Sequence, residues 1–250
     1  MTEDEKRETA YHEAGHAVIA RLLAANGGAD PVHKVTIIPR GRALGLTVQL
    51  PEKERHSYDM HYLKNRITIL MGGRAAEEIF CNKRTAGASN DIMVATNTAK
   101  SMVCEWGMSK LGPVAFGRRG GSQYLSGGGF QIETASEKMA EAVENEISEI
   151  INKEYEHAMH FLKENRDIME AMTQALMEAE TIEEWHIDNL MARRHYLDAQ
   201  GLTEYEIRYN KKFPGPQFVE EPDIVEGADL AINLSDKKPE PPQAITPATA

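Results

Sequence analysis

The sequence predicts a mainly α-helical chain that carries a small β-hairpin or sheet and ends in a helical bundle. Three observations predict it. Apolar residues recur at three- and four-residue steps over long stretches; two short β-rich runs, 35–38 and 43–50, interrupt them; and seven of the 11 prolines fall in the last 37 residues, beyond the periodic pattern. The chain has 250 residues, 41% hydrophobic and 27% charged, enough for one sizeable core. Its 28 basic residues stand against 39 acidic ones, a net charge of −11, so phosphate-rich partners are repelled and nucleic acid is not an expected partner. Cys81 and Cys104 form no CxxC pair, which argues against a disulfide framework or a cysteine zinc site and fits a reducing compartment.

The elements follow in order. A first helix runs from about Glu5 to Ala25, where Asn26-Gly27-Gly28 can end it. Its apolar stretch, Ala17 to Ala25, is too short to span a bilayer, and the polar start has no secretory pattern, so the chain reads as soluble. Val35 to Ile38 and Ala43 to Leu50 read as two strands joined through Pro39-Arg40-Gly41-Arg42 and bounded by Pro51. From Ser57, a plausible N-cap, a helix runs to about Phe80; Gly72-Gly73 inside it costs stability unless a neighbouring backbone needs the room. Another helix begins near Ser89-Asn90-Asp91 and ends before Gly107. The glycine-rich stretch 117–130 reads as a connecting loop, because it has no lysine of the kind a phosphate cradle uses. Then Met139, Val143, Ile147, Ile150, Ile151, Tyr155, Ala158 and Leu162 mark an amphipathic helix; Ile168 to Ala179 marks a second; Thr181-x-x-Glu184 has the form of a capping box opening a third.

The chemical signal is His12-Glu13-Ala14-Gly15-His16, an HExxH inside the first helix. Residues four apart share a helix face, so both imidazoles can converge on one cation, and Zn²⁺ suits them. In this motif the glutamate is no ligand; it serves as general base toward a zinc-bound water, the chemistry of amide hydrolysis. Composition alone would produce the pattern in roughly 4% of such chains, so its helical setting and small or apolar flanks carry the weight. A third ligand is required, and spacing leaves Glu77, Glu78, Asp91, His33, His56 and His61 open. Asp91 reads equally as a ligand or as a helix cap. The chain thus divides into a zinc-binding catalytic part, 1–133, a helical part of the same domain, 134–200, and a disordered Pro-rich acidic tail, 201–250.

Four ordered motifs can be read together: Thr9-Ala10-Tyr11-His12-Glu13-Ala14-Gly15-His16-Ala17, Ile38-Pro39-Arg40-Gly41-Arg42-Ala43-Leu44-Gly45, Met71-Gly72-Gly73-Arg74-Ala75-Ala76-Glu77-Glu78 and Gly87-Ala88-Ser89-Asn90-Asp91-Ile92. With Trp106-Gly107-Met108-Ser109 and Leu111-Gly112-Pro113, they closely resemble the protease domain of the FtsH family, the membrane-anchored AAA+ zinc metalloproteases, over about residues 5 to 195. The resemblance implies a helical zinc-peptidase fold with its small sheet near the active site. It implies that His12, His16 and Asp91 bind zinc, that Glu13 is the catalytic base, and that Glu77 supports the site as a nearby carboxylate. It also implies that Ala43 to Leu50 is an edge strand receiving unfolded or membrane-protein substrates by β-augmentation. The implied whole enzyme is a homo-hexameric, ATP-dependent ring in a cell or organelle membrane, its protease domain facing the cytoplasm or an equivalent reducing compartment. Transmembrane and ATPase modules are absent from this chain, which is read as an excised domain or a stand-alone relative. Two rivals are a soluble metallopeptidase with Glu77 or Glu78 as third ligand, and a catalytically silent scaffold for ring assembly.

Overall fold

Thr2 opens the first helix, α1 (Glu3–Ala24), with a capping box: its hydroxyl accepts from Glu5 N and the Glu5 carboxylate accepts from Thr2 N, at 3.2 and 2.7 Å. In this computed structural model, which describes residues 1–39, 41, 43–51, 57–116 and 137–191, the helix therefore starts two residues before the periodicity suggests. From Thr9 to Ala20 every α1 residue except His12 is buried. A helix covered on all sides is a central one, and small residues (Ala10, Ala14, Gly15, Ala17, Ala20) let its neighbours approach. Gly27, at φ +72°, ends the turn that follows, with Gly28 N donating to Leu23 O.

The sheet has three antiparallel strands in the order β2-β1-β3. The expected pair is present, but β1 spans Val32–Thr36, starting three residues before the expected 35–38, and β2 spans Leu46–Gln49, a shorter stretch within the expected 43–50. Val32 and Val35 carry the inward face of β1, while His33 and Lys34 obscure the alternation that would have revealed its start. The third strand, β3 (Thr181–Glu183), corrects the reading of Thr181 as a helix cap. Ile182 is fully buried opposite Val35, and the Thr36 and Thr181 hydroxyls lie 2.8 Å apart.

Helix α2 (Met60–Ala76) is capped by Asp59, not Ser57, through a 2.9 Å hydrogen bond from Tyr62 N. It runs into a π-helical turn, Glu77–Cys81, closed by Asn82 in the left-handed region. A short 3₁₀ turn, Ala86–Ala88, leads into α3 (Ser89–Cys104). Then come α4 (Glu137–Glu164), α5 (Arg166–Ala179) and α6 (Glu184–Met191). Helix α4 lies along α2 and α3 and α5 lies along α1, so the carboxy-terminal helices enclose the amino-terminal ones in one core that includes Ile19, Ile67, Met102, Leu162, Met172 and Leu176. The glycine-rich stretch 117–130 and the Pro-rich tail 201–250 lie outside the described residues. Among those described, no helix is long and apolar enough to cross a membrane.

Candidate metal centre

The crossing of α1 over α2 sets the site. A Cβ on Gly15 would lie 2.5 Å from the Gly72 carbonyl oxygen, and one on Gly72 would lie 2.7 Å from that of Gly15, so the backbones touch where neither has a side chain. The next residue, Gly73, lies under the His12 ring: a Cβ there would stand 2.5 Å from its Cε1 and Nε2. The double glycine therefore makes the room that the sequence reading asked of it.

On α1, His12 and His16 stand one turn apart with their rings nearly perpendicular and their Nε2 atoms 3.1 Å from each other. His16 Nδ1 lies 2.8 Å from the Ile69 carbonyl oxygen, an acceptor, and His12 Nδ1 lies 2.8 Å from Glu77 Oε1, a carboxylate oxygen. Each Nδ1 thus carries the proton, and each Nε2 turns a lone pair inward. Asp91, in the first turn of α3, brings its Oδ2 within 3.2 Å of His12 Nε2 and 3.4 Å of His16 Nε2. With both rings neutral, the two ring nitrogens and the Asp91 oxygen are all acceptors, an arrangement that calls for a cation. Among the described residues, this is the one His, Cys, Asp or Glu group of three or more that could hold a metal ion.

In the absence of a metal ion, a proton on His12 meets the same demand for positive charge. Burial pushes the His12 imidazole down, but the carboxylates of Asp91, Glu77 and Glu13 outweigh it and raise the ring to about 9. Burial also pushes the Asp91 carboxyl up, yet the two imidazoles hold it well below the usual carboxylate range. Glu77 behaves likewise: desolvation is outweighed by His12 and by the Thr85 backbone N–H, 3.0 Å from Oε2, and the carboxyl is lowered.

The other candidate ligands lie elsewhere. Glu78 faces outward, bonded to Arg84 and to the Tyr155 hydroxyl at 2.8 Å. His33 lies 3.7 Å from Glu184, and His61 lines a cleft between α2 and α4. His56 is outside the described residues. Glu13, beside His12, is buried, and its Oε2 accepts a 2.7 Å hydrogen bond from Thr47 of β2. The sequence reading missed Thr47 and Thr85. Neither carries a chemical signature by itself; the sole signal for Thr47 was its place on the strand next to the Ala43-Leu44-Gly45 motif.

A family model described as Peptidase family M41 matches residues 1–190. The chain belongs to peptidase family M41. Its M41 relatives include the ATP-dependent zinc metalloprotease FtsH of Photobacterium profundum, 48% identical over 202 residues, which are 80% of this chain and 29% of that protein. The protein of the same name from Magnetococcus marinus is 47% identical over 216 residues, 86% of this chain and 32% of its own length. ATP-dependent zinc metalloprotease FtsH 1 of Bdellovibrio bacteriovorus is 45% identical over 192 residues, 76% of this chain and 29% of that protein. This M41 chain thus spans less than a third of the length of these relatives.

Proposed function

We propose that this M41 domain is a zinc endopeptidase whose metal is held by His12, His16 and Asp91, with Glu13 as general base. The observation that carries the reading is the convergence of two imidazole Nε2 atoms and one Asp91 oxygen within 3.4 Å of one another. Two nitrogens and one carboxylate oxygen are a donor set that Zn²⁺ accepts, with three protein ligands leaving a position open for chemistry. When bound, zinc supplies Lewis acidity, polarising a peptide carbonyl and acidifying water. The protein does the rest. Ile69 and Glu77 orient the two rings through their Nδ1 protons, and the Glu13 carboxylate takes a proton at one of its oxygens and returns it to the leaving amine.

We assign an extended, unfolded polypeptide as substrate. Among the described residues, strand β2 is paired on one side, by β1, and Leu44, Leu46 and Leu50 around it are exposed, so an incoming chain can add alongside it through main-chain hydrogen bonds. The relatives' names and the chain's share of their length support a longer, ATP-dependent enzyme of which this is the proteolytic part; its membrane association and homo-hexameric ring are assigned from the resemblance of the sequence motifs to the FtsH family.

Metal analysis and casein turnover test the reading. Purified chain is expected to hold one zinc per molecule and cleave casein; Glu13→Gln is expected to keep the zinc and lose turnover, and Asp91→Ala to lose the zinc. Full zinc in Asp91→Ala moves the third ligand elsewhere. Turnover that survives Glu13→Gln, or none in zinc-loaded wild type, favours a silent scaffold.

A further inference from the structure

The Glu13 carboxylate is held from β2 and not from its own helix. Thr47 Oγ1 lies 2.7 Å from Glu13 Oε2 and 3.3 Å from the Glu13 carbonyl oxygen. A hydroxyl has one proton to give, and the nearer, charged acceptor takes it. Two residues earlier, Gly45 touches the same carboxylate: a Cβ there would fall 2.6 Å from Glu13 Cγ and 2.7 Å from Oε1. One oxygen is therefore pinned by a hydroxyl, while the other lies over a position where a side chain does not fit. Glutamate has three side-chain torsions, and α1 fixes at most the first. A base free to swing about the other two loses the alignment on which proton transfer depends.

We propose that Thr47 is the positioning residue for Glu13, with Gly45 providing the clearance, so that the strand assigned to receive the peptide also aims the base. This rests on the peptidase reading above. A hydroxyl that instead contacts substrate would act on KM; one that only packs the strand would be replaceable by any β-branched side chain.

The test compares Thr47→Val, which keeps the branched shape and removes the donor, with Thr47→Ser, which keeps the donor, in the zinc-loaded full chain against a fluorogenic peptide. Thr47→Val is expected to lower kcat about 10–100-fold with KM within about twofold and zinc stoichiometry unchanged, and Thr47→Ser to restore kcat to within about threefold. A second measurement needs no turnover. Thr47→Val is expected to lower the thermal midpoint by about 3–10 °C in the parent chain and by little in a Glu13→Ala background. Wild-type kcat in Thr47→Val, a raised KM with kcat intact, or midpoint losses that simply add overturns the proposal. Should Thr47→Val fail to fold, Thr47→Ala carries the same expectations. Failure of the peptidase reading looks different: zinc-loaded wild type is then inactive or Glu13→Gln active, while the midpoint comparison still decides whether Thr47 holds Glu13.

Discussion

Glu77 shows how a single side chain sets the chemistry of another without facing the convergent site. Its Oε1 fixes the His12 tautomer at 2.8 Å and its Oε2 is itself held by the Thr85 N–H, so His12 presents Nε2 with little freedom to turn. Glu77→Gln preserves an acceptor but removes the charge. Zinc affinity is expected to fall about 10–100-fold, measured by competition with a chromogenic chelator; an unchanged affinity would limit Glu77 to folding. A second histidine gives a pH dependence unrelated to metal. Burial pushes His186 down to about 4, so the fold favours its neutral form while the unfolded chain takes up a proton near 6.5. Between these values the unfolded state binds more protons, and stability therefore rises with pH. Its contribution is full above about pH 6.5 and is lost on acidification toward pH 4, by up to about 3 kcal/mol. Urea titrations from pH 7.5 to 4.5 should show a shallower fall for His186→Gln than for the parent; parallel curves would refute the assignment.

At the scale of elements, the contact between α1 and α2 makes the site possible. Gly15 and Gly72 let the two backbones meet, which brings the Ile69 carbonyl to His16 and slides Gly73 beneath His12. Gly15→Ala places a methyl 2.5 Å from the Gly72 carbonyl oxygen, so the helices must separate. The expected cost is about 1–3 kcal/mol in urea unfolding, together with weakened zinc binding, because the Ile69 contact lengthens as the helices part. Gly27→Ala, at the positively dihedral turn after α1, is expected to cost about 1 kcal/mol and leave zinc binding intact, since nothing lies within 4 Å of its added Cβ. The two glycine changes thus separate strain at a turn from obstruction of a contact. The strands teach a related point. Thr181-x-x-Glu184 satisfies the local rule for a capping box, yet Thr181–Glu183 pairs with β1, because burying Ile182 against Val35 outweighs a local preference.

For the molecule as a whole, the proposed metal ties together residues 12, 16 and 91, held on α1 and α3, with α2 supplying the oxygen that orients His16. A ligand that binds the folded state alone raises stability by mass action, about 4 kcal/mol at a thousandfold excess over its dissociation constant. Zinc at that excess is expected to raise the thermal midpoint by about 8–16 °C over chelator-treated chain, measured by calorimetry, and Asp91→Ala to abolish most of that shift.

How much of this was legible in the sequence follows from the range of the interactions. Helical periodicity and the histidine spacing are local: a turn of α1 places His12 above His16 whatever surrounds them, and so the zinc chemistry and the mainly helical class could be read from residue order. Family motifs extended that reading to Asp91 and Glu77. The Asp59 cap, a local bond from Tyr62 N, is open to sequence reading, which places it two residues early. The third strand, the pairing of Thr47 with Glu13 and the turn of Glu78 toward Tyr155 were decided by tertiary packing. Each of these three depends on which surfaces meet across many intervening residues, and burial of apolar area, not local preference, selects those meetings.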